Sequence, residues 1–338
     1  MKARDELYVG VDLGGTTVRA AVIDSVGHIL GQERHRLQSR EPPQVAEAVV
    51  RAAKTACGAA GFPFGELKAM GLGVSGLVER GTGVVLSSPT LGWKDVPISR
   101  LLQARVPKLP LWVANELSVT AWGERAVGAG RGVDDLLVVL VGASVGAGIV
   151  LGGKLYEGAT GLSGELGHVQ VKAEGRACSC GRRGCLEAYV GGHHLAAWAR
   201  DDLRIALAAA RAAGKPNSTG QKLLDHAGGD LEKINVSSME RAAHEGDALS
   251  RRLLEEAGKL VGAEIARLVT VLNPARLLLG GGVLAGSPRM LRALHETIDA
   301  QASKASRAAL QIAAPELGDD AGVVGAALLA RESLSLAA

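Results

Sequence analysis

The stretch LYVGVDLGGTTVRAAVID, residues 7–24, has the pattern of an apolar strand, a glycine-rich turn and a second apolar strand. The same order returns in DLLVVLVGASVGAGIVL, with a strand over residues 135–141, a loop over 142–148 and a return strand over 149–151. Continuous apolar runs that end in glycines are typical of buried strands followed by tight turns. The repetition predicts a degenerate internal duplication: two related α/β domains, each with a loop of the size that holds a phosphate group.

The rest of the chain alternates between strand and helix patterns. Further strands are predicted over residues 18–24, 28–32, 69–74, 111–114 and 276–279. Helices are predicted over residues 44–60, 117–127 and 250–273, and a last helix after Asp319 and Asp320. Residues 201–236 are polar and show no pattern that places an element.

Composition excludes several classes of protein. The 338 residues suit two domains, and 47% hydrophobic residues suffice for a sizeable core. A net charge of +3 without an extended basic run disfavours nucleic-acid binding. The chain has no apolar run long enough for a membrane span, and its N-terminus lacks the apolar core of a signal peptide. We therefore expect a cytoplasmic protein with no membrane partner.

The first glycine-rich turn, residues 12–17, predicts a phosphate site. Gly14 and Gly15 allow backbone N–H groups to point at an anion, and Thr16 and Thr17 add hydroxyl donors. Asp12 has the carboxylate that Mg²⁺ prefers, usually through water. An ordinary hairpin turn is the alternative.

The second loop, residues 142–148, repeats this physics. Gly142 and Gly146 provide backbone freedom and Ser144 provides a hydroxyl. The sequence therefore predicts a second phosphate contact here, with a tightly packed hairpin as the alternative.

A metal cluster is predicted from His168, Cys178, Cys180 and Cys185. Three cysteines and one histidine suit a closed tetrahedral structural zinc site. Disulfides fit less well, because a cytosol keeps thiols reduced and a Cys-x-Cys pair is poorly placed to bridge itself. Cys57 lies alone on the apolar side of a predicted helix and is expected in the core.

Two glutamates adjoin this cluster in the sequence. Glu165 lies three residues before His168, and Glu187 lies two residues after Cys185. A metal that gathers the cluster therefore brings both carboxylates into one locality, where they can accept hydrogen bonds from sugar hydroxyls. Solvated surface acids are the alternative.

Asn115 and Glu116 follow a predicted strand and open a predicted helix. A carboxylate at a strand tip can act as a general base toward a substrate hydroxyl. An acid that merely favours the helix macrodipole explains the same pattern, so both interpretations stay open.

Taken together, these motifs resemble the ROK family of repressors, open reading frames and sugar kinases. The resemblance covers essentially the whole chain and adds four segments: GLGVSG at 71–76, SPTLGW at 88–93, NP at 273–274 and GGGV at 280–283. It implies a two-domain α/β fold of the actin, hexokinase and Hsp70 type with duplicated domains. The smaller domain would hold residues 1–115 plus about 320–338, and the larger domain residues 116–319.

The resemblance also implies an activity. A sugar kinase of this family would phosphorylate a hexose with Mg-ATP, with glucose giving glucose 6-phosphate in glycolysis. The implied adenosine side includes Gly281 and Gly282. The implied sugar side comprises Ser75, Gly76, Thr90, Asn115, Glu116, Glu165, His168 and Glu187. A homodimer and a zinc-bound His168 beside the sugar are implied as well.

Three positions depart from the family pattern. Glu116 stands where active members have Asp, Ala143 where they have Thr, and Thr90 where they have Asn. A sugar-binding regulatory protein with little catalysis is therefore the alternative function. A repressor is not expected, because the first phosphate motif begins too early for a preceding DNA-binding domain.

Overall fold

The computed structural model describes residues 6–214 and 219–337. Its strands, in chain order, are β1 (Leu7–Leu13), β2 (Thr17–Ile23), β3 (Ile29–Arg36), β4 (Leu67–Val74), β5 (Leu77–Val78), β6 (Val85–Ser88), β7 (Trp93–Val96), β8 (Leu111–Asn115), β9 (Leu136–Val141), β10 (Val145–Leu151), β11 (Lys154–Leu155), β12 (Arg276–Gly280) and β13 (Gln311–Ala313).

The helices of the described residues are α1 (Pro42–Ala60), α2 (Ile98–Gln103), α3 (Glu116–Val127), α4 (Glu187–Val190), α5 (Gly192–Ala212), α6 (Gln221–His226), α7 (Val236–His244), α8 (Ala248–Leu272), α9 (Gly282–Ala285), α10 (Pro288–Gln301), α11 (Lys304–Ala309) and α12 (Ala321–Ala337).

Two five-stranded sheets share one topology. The first has the order β3-β2-β1-β4-β8, and the second has the order β11-β10-β9-β12-β13. In each, the first strand pairs antiparallel with its hairpin partner and parallel with a later strand. The parallel pairs β4–β8 and β12–β13 complete the correspondence. The structure thus has the duplicated α/β architecture that the repeated strand-turn-strand pattern predicts.

Helix α12 returns the end of the chain to the first sheet, where glycines let backbones approach closely. A Cβ on Gly10 of β1 would overlap the carbonyl of Val323, and one on Gly71 of β4 would overlap the carbonyl of Ala326. A Cβ on Gly325 would overlap the carbonyl of Val119 in α3. Only residues without a side chain permit these contacts. Helices α3 and α12 therefore pack directly on each other beside the two sheets.

The proposed domain division remains a prediction. The first sheet lies within residues 7–115 and the second within residues 136–313. Met1–Asp5 and Ala338, which the division assigns to the smaller domain, lie outside the described residues. Buried Ala121 and Trp122 of α3 join a core that includes residues of both sheets and of α12.

Several sequence expectations need correction. The return strand β10 begins at Val145 and not at residue 149, so the predicted loop over 142–148 is a short turn followed by a strand. The unassigned residues 201–236 include the second half of α5 and all of α6. The short strands β5–β7 form a separate antiparallel sheet that the sequence pattern did not reveal. Cys57 is buried in the first core, as expected.

The described helices contain no apolar segment of the length required to cross a lipid bilayer.

Candidate active site and metal cluster

The carboxyl ends of β1, β4 and β8 are joined by hydrogen bonds. Ser75 N–H donates to the carbonyl of Leu13 at 3.1 Å. The Asn115 side chain donates to the carbonyl of Gly76 at 2.8 Å and accepts from Leu117 N–H at 2.7 Å. Asn115 is thus the N-cap of α3, which satisfies one of the free amides at the helix start. These bonds place Ser75, Gly76, Asn115 and the first residue of α3 together at the carboxyl-terminal end of these parallel strands.

Glu116 is that first residue, and its carboxylate accepts a hydrogen bond of 3.1 Å from Ser75 Oγ. Burial raises the pKa of Glu116 to about 7, and the nearby Asp12 carboxylate adds to the rise while the Ser75 hydrogen bond opposes it. A carboxyl group of this pKa can take up a proton near neutral pH, as a general base must. The sequence leaves two roles open for Glu116, a general base or an acid that favours the helix macrodipole. The raised pKa of its carboxyl group favours the general base.

Asp12 lies near the carboxyl end of β1, at the same end of the sheet. Burial raises the pKa of Asp12, and the Arg19 guanidinium opposes the rise. The first turn of α12 lies against it, since a Cβ on Gly322 would be 3.1 Å from the Asp12 Cγ. The turn that follows is a tight hairpin, in which Gly14 N–H donates to the carbonyl of Thr17 at 3.0 Å. This hairpin geometry suits both the phosphate-binding interpretation of residues 14–17 and the structural one.

Thr90 lies beside this first turn. A Cβ on Gly15 would be 2.8 Å from the Thr90 Cβ. Ser88 Oγ lies 3.3 Å from Thr90 Oγ1 and donates to the carbonyl of Ser75 at 2.5 Å. The structure therefore brings the predicted sugar contacts Thr90 and Ser75 together, through a Ser88 hydroxyl that sequence reasoning did not single out.

The second turn, Gly142 to Ser144, lies where two helices begin. Gly142 N–H donates to the carbonyl of Ser144 at 2.9 Å, and the Gly142 carbonyl accepts from Gly192 N–H at 2.9 Å. A Cβ on Gly281, which has φ +94°, would overlap the backbone of Val141. Gly281 and Gly282 at the start of α9 thus lie close to the turn. Residues that bind one nucleotide have to lie close together in this way.

Gly146 departs from the expectation for this loop. It lies inside β10, where a Cβ would overlap Leu117 Cδ1 of α3. Close packing of strand on helix accounts for this glycine without any phosphate. Its assignment to phosphate binding stays a prediction, with less support than that of Gly142 and Ser144.

The four predicted metal ligands come together. The Sγ atoms of Cys178, Cys180 and Cys185 and a ring nitrogen of His168 all lie within 4.8 Å of one another. Cys178 Sγ lies 3.7 Å from His168 Nδ1, and Cys180 Sγ lies 3.7 Å from Cys185 Sγ. These sulfurs form no disulfide, since the cysteines of the described residues are all free. Donor types and spacing both fit a tetrahedral zinc site.

The loop that carries the cysteines is fastened to the second core. Lys172 Nζ lies 4.9 Å from the ring centroid of Tyr189 and 5.3 Å from that of Trp198. The same ammonium group pairs with Glu256 of α8 at 2.5 Å, and Tyr189 Oη accepts from Arg176 N–H at 2.8 Å. Cation–π contacts and a salt bridge therefore hold this loop against α5 and α8.

Glu165 and Glu187 lie next to the cluster, as the spacing predicts. His168 Nε2 lies 3.9 Å from the Glu165 carboxylate, so the ring turns one nitrogen to the cysteines and the other to Glu165. Burial raises the pKa of Glu165 to about 7, and Glu187 adds to the rise. The alternative of a solvated surface acid does not describe Glu187, which is 7% exposed.

Glu187 links the metal loop to the second turn. Its Oε2 accepts from Val145 N–H at 3.1 Å, and its Oε1 accepts from Ser179 Oγ at 3.2 Å. Ser179 lies between two of the cysteines and was not predicted as a site residue. Only its position within Cys-x-Cys could have indicated a role.

Known proteins match this chain over nearly its whole length. A glucokinase of Streptomyces coelicolor is 32% identical over 327 residues, which cover 96% of this chain and 98% of that protein. A crystal structure of a ROK family glucokinase from Streptomyces griseus in complex with glucose and AMPPNP is 32% identical, with a TM-score of 0.74 and coverage of 96% of this chain and 99% of that one. A ROK hexokinase from Thermus thermophilus is 30% identical, with a TM-score of 0.77 and coverage of 97% and 99%.

These matches confirm the predicted two-lobed α/β fold of the actin and hexokinase type. The sequence model of the ROK family itself matches residues 8–333, which include both sheets, the metal cluster and most of α12. The chain therefore belongs to the ROK family.

Proposed function

We propose that this protein is an ATP-dependent hexose kinase that converts glucose to glucose 6-phosphate. The observation that carries the proposal is the position of Glu116, a half-buried carboxyl group with a pKa raised to about 7 beside Asp12 and Glu165. Similarity over the full chain to a protein named glucokinase, and to a glucokinase structure with glucose and AMPPNP, supports it.

The proposed reaction is a direct phosphoryl transfer. The Glu116 carboxylate takes the proton of the sugar 6-hydroxyl while that oxygen bonds to the γ-phosphorus of ATP. The bond from this phosphorus to the bridging oxygen of ADP breaks, and ADP leaves with the electron pair. Positioning and stabilisation of the spreading charge are the main tasks of the protein in such a transfer.

The phosphate side comprises two turns and one acid. We assign Asp12 to the Mg²⁺ of Mg-ATP, because a buried carboxylate at a strand end has the oxygen chemistry that this ion prefers. Bound Mg²⁺ supplies charge neutralisation on the transferring phosphates. The backbone amides and hydroxyls assigned to the phosphates and the nucleotide are those of Gly14, Gly15, Thr16, Thr17, Gly142, Ser144, Gly146, Gly281 and Gly282.

The sugar side is assigned to two groups of residues. Glu165 and Glu187 would accept hydrogen bonds from sugar hydroxyls, with His168 Nε2, which lies 3.9 Å from the Glu165 carboxylate, beside them. Ser75, Gly76 and Asn115, at the ends of β4 and β8, and Thr90, between β6 and β7, would contact the sugar as well. Asn115 already uses both ends of its amide, so it can add a sugar contact only through its second N–H and its second lone pair.

The Cys₃His cluster would hold a structural zinc ion. A zinc ion there would supply rigidity, since it would fix four side chains of one loop and the flanking Glu165 and Glu187 in place. The three thiolates and the imidazole that would bind this ion perform no proton transfer in the proposed reaction.

A second function remains, and two departures from the family pattern favour it. Glu116 is one methylene longer than the Asp of active members, and Ala143 lacks the hydroxyl that they carry at the second turn. A shift of about 1 Å in a reacting group can cost about 10²-fold in rate. A sugar-binding regulatory protein with little turnover would keep the same site.

The deciding experiment is phosphorylation of glucose by the purified, zinc-loaded protein. It is repeated with N-acetylglucosamine, mannose and fructose, and with polyphosphate in place of ATP. Turnover of about 1 s⁻¹ or above with ATP and glucose, typical of kinases, would support the kinase. Sugar binding in calorimetry without turnover on any of these pairs would support the regulatory protein.

Assembly and location complete the proposal. We propose a cytoplasmic homodimer that acts in carbohydrate metabolism. Light scattering coupled to size exclusion tests the dimer, and a mass near the 34.7 kDa of one chain would contradict it.

A further inference from the structure

Two connections join the two sheets within the described chain. The first runs from β8 through α3 to β9, and the second runs from β13 to α12, which packs on the first sheet. The residues after α3 and the residues before α12 therefore lie where one sheet passes to the other. Any movement between the sheets has to be absorbed at these connections.

The side chain of Glu124 holds both connections at once. Glu124 lies in α3 and is fully buried. Its Oε2 accepts from Ala129 N–H at 2.9 Å in the first connection and from Glu316 N–H at 3.1 Å in the second. Its Oε1 accepts from Leu317 N–H at 2.8 Å, also in the second.

No ion pair of Glu124 occurs among the described residues, so backbone amides are the partners of this buried carboxylate. A buried carboxylate without partners is very costly, and hydrogen bonds to a charged acceptor are stronger than neutral ones. The three amides would in turn lose their acceptor if the carboxylate were removed. Glu124 and these amides are therefore a mutually dependent set.

The surrounding backbone is shaped around this carboxylate. A Cβ on Gly128 would overlap Glu124 Oε2, and Gly130 N–H donates to the Glu124 carbonyl at 2.8 Å. The guanidinium of Arg276, in β12 of the second sheet, donates to the Ala129 carbonyl. The first connection is thus fastened to Glu124 on one side and to the second sheet on the other.

We propose that Glu124 is a positioning residue that fixes the angle between the two sheets. It does so by tying both connections to α3, the helix that begins with Glu116. The proposal rests on the proposed kinase function only for its kinetic consequence. While Glu124 holds both connections, a large fraction of the molecules has the arrangement in which Glu116 and the Gly142 turn lie together. When the hydrogen bonds of Glu124 are weakened, that fraction falls.

The kinetic consequence differs from that of simple destabilisation. When only a fraction of molecules is competent to bind, the apparent dissociation constant rises by the inverse of that fraction. Saturating substrates restore the competent arrangement. We therefore expect KM for sugar and KM for ATP, each measured at a subsaturating concentration of the other substrate, to rise together, with kcat nearly unchanged. Loss of folded protein would instead lower the apparent kcat and leave both KM values alone.

The test uses Glu124→Gln, which keeps the shape but replaces one acceptor oxygen by an N–H donor. We expect both KM values to rise about tenfold, on the order of one lost hydrogen bond to a charged group. Glu264→Gln is the matched control: Glu264 is 5% exposed in α8, but its partner is Arg267 and not a connection between the sheets. That variant is expected to keep both KM values.

Hydrogen exchange of the free protein provides a second measurement that needs no activity. The amides of Ala129 and Leu317 should exchange at least about tenfold faster in Glu124→Gln, while amides inside α8 stay unchanged. If Glu124→Gln does not fold, Gly128→Ala displaces the same carboxylate by filling its space and takes its place in both measurements.

The outcomes are separable from those of the kinase proposal. Unchanged exchange at Ala129 and Leu317 would show that Glu124 does not hold the two connections, whatever the activity of the protein. Faster exchange with unchanged KM values, or with a loss confined to kcat, overturns its effect on substrate binding. If the wild-type protein shows no turnover, the kinase proposal is wrong. The sugar dissociation constant of the wild type and the variants is then compared in place of KM.

Discussion

Ser75 Oγ donates a hydrogen bond of 3.1 Å to the carboxylate of Glu116, across 41 residues of sequence. The bond joins the end of β4 to the start of α3, and it opposes the effect of burial on the pKa of Glu116. A hydroxyl in this position orients the carboxylate without supplying a charge. The remaining rise in the pKa makes Glu116 a stronger base than an ordinary surface glutamate.

Replacing Glu116 by Gln should abolish most of the turnover. The amide cannot accept the hydroxyl proton, so we expect kcat to fall by about 10²- to 10⁴-fold, the usual contribution of a general base. The sugar dissociation constant, measured by calorimetry, should change far less. Turnover that survives in Glu116→Gln would show that another group takes the proton. The companion variant Glu116→Asp restores the residue typical of active family members and tests whether side-chain length limits the rate.

The pH dependence of kcat/KM should show an acid limb near pH 7. The pKa of Glu116 is raised from 4.5 to about 7, so the base is protonated and inactive below that pH. Activity should therefore fall about tenfold per pH unit as the pH drops below 7, and it should level off above. The rate is measured at limiting concentrations of both sugar and Mg-ATP, so that the limb reports the free enzyme.

Ser75→Ala is a control for the acid limb, because the direction of its effect on the pKa of Glu116 is known. The Ser75 hydrogen bond lowers the pKa of Glu116, so its removal should move the limb to higher pH. An acid limb below pH 5, or one that stays in place in Ser75→Ala, would argue against Glu116 as the titrating group.

Local patterns made much of this fold predictable. The strand-turn-strand stretch at residues 7–24 and its repeat at 135–151 correspond to β1–β2 and β9–β10, and the two sheets share one topology. The spacing from His168 to Cys185 likewise predicted a cluster whose donor atoms do converge. In these cases the partners lie close in sequence, so chain geometry alone limits where they can go.

Long-range relationships could not be predicted in this way. A glycine in a sequence does not reveal what approaches it, and in the structure Leu117 of α3 lies against Gly146 of the predicted phosphate loop. The role of Glu124 leaves no sequence signal, because its partner Glu316 is 192 residues away and its donors are backbone amides. The strands β5–β7 are two to four residues long, too short for an alternation to stand out.

Replacing Cys180 by Ser should lower metal content, stability and sugar affinity together. The four ligand atoms lie within 4.8 Å of one another, and His168 Nε2 faces Glu165. Loss of one thiolate should therefore release the metal and disorder both Glu165 and Glu187. Metal analysis, thermal unfolding and sugar titration measure the three effects.

Cys57→Ala is the matched control for this variant. It removes a buried thiol from the core of the first sheet, away from the cluster. We expect lower stability with unchanged metal content and sugar affinity. A Cys180→Ser protein that binds sugar as tightly as the wild type would break the proposed link between the metal loop and the sugar site.

Replacing Gly71 by Ala should destabilise the fold, although alanine is the smallest possible addition. Gly71 lies in β4, where a Cβ would overlap the Ala326 carbonyl of α12. Helix α12 must therefore move off the sheet, at a cost of about 1–3 kcal/mol in the free energy of unfolding. Gly58 in α1 provides the contrast, because a Cβ at that position would meet no atom within 4 Å. There the same substitution should stabilise by roughly 0.5–1 kcal/mol through helix propensity. Denaturant unfolding of both variants measures the difference, and equal effects would mean that α12 does not pack on β4 as closely as described.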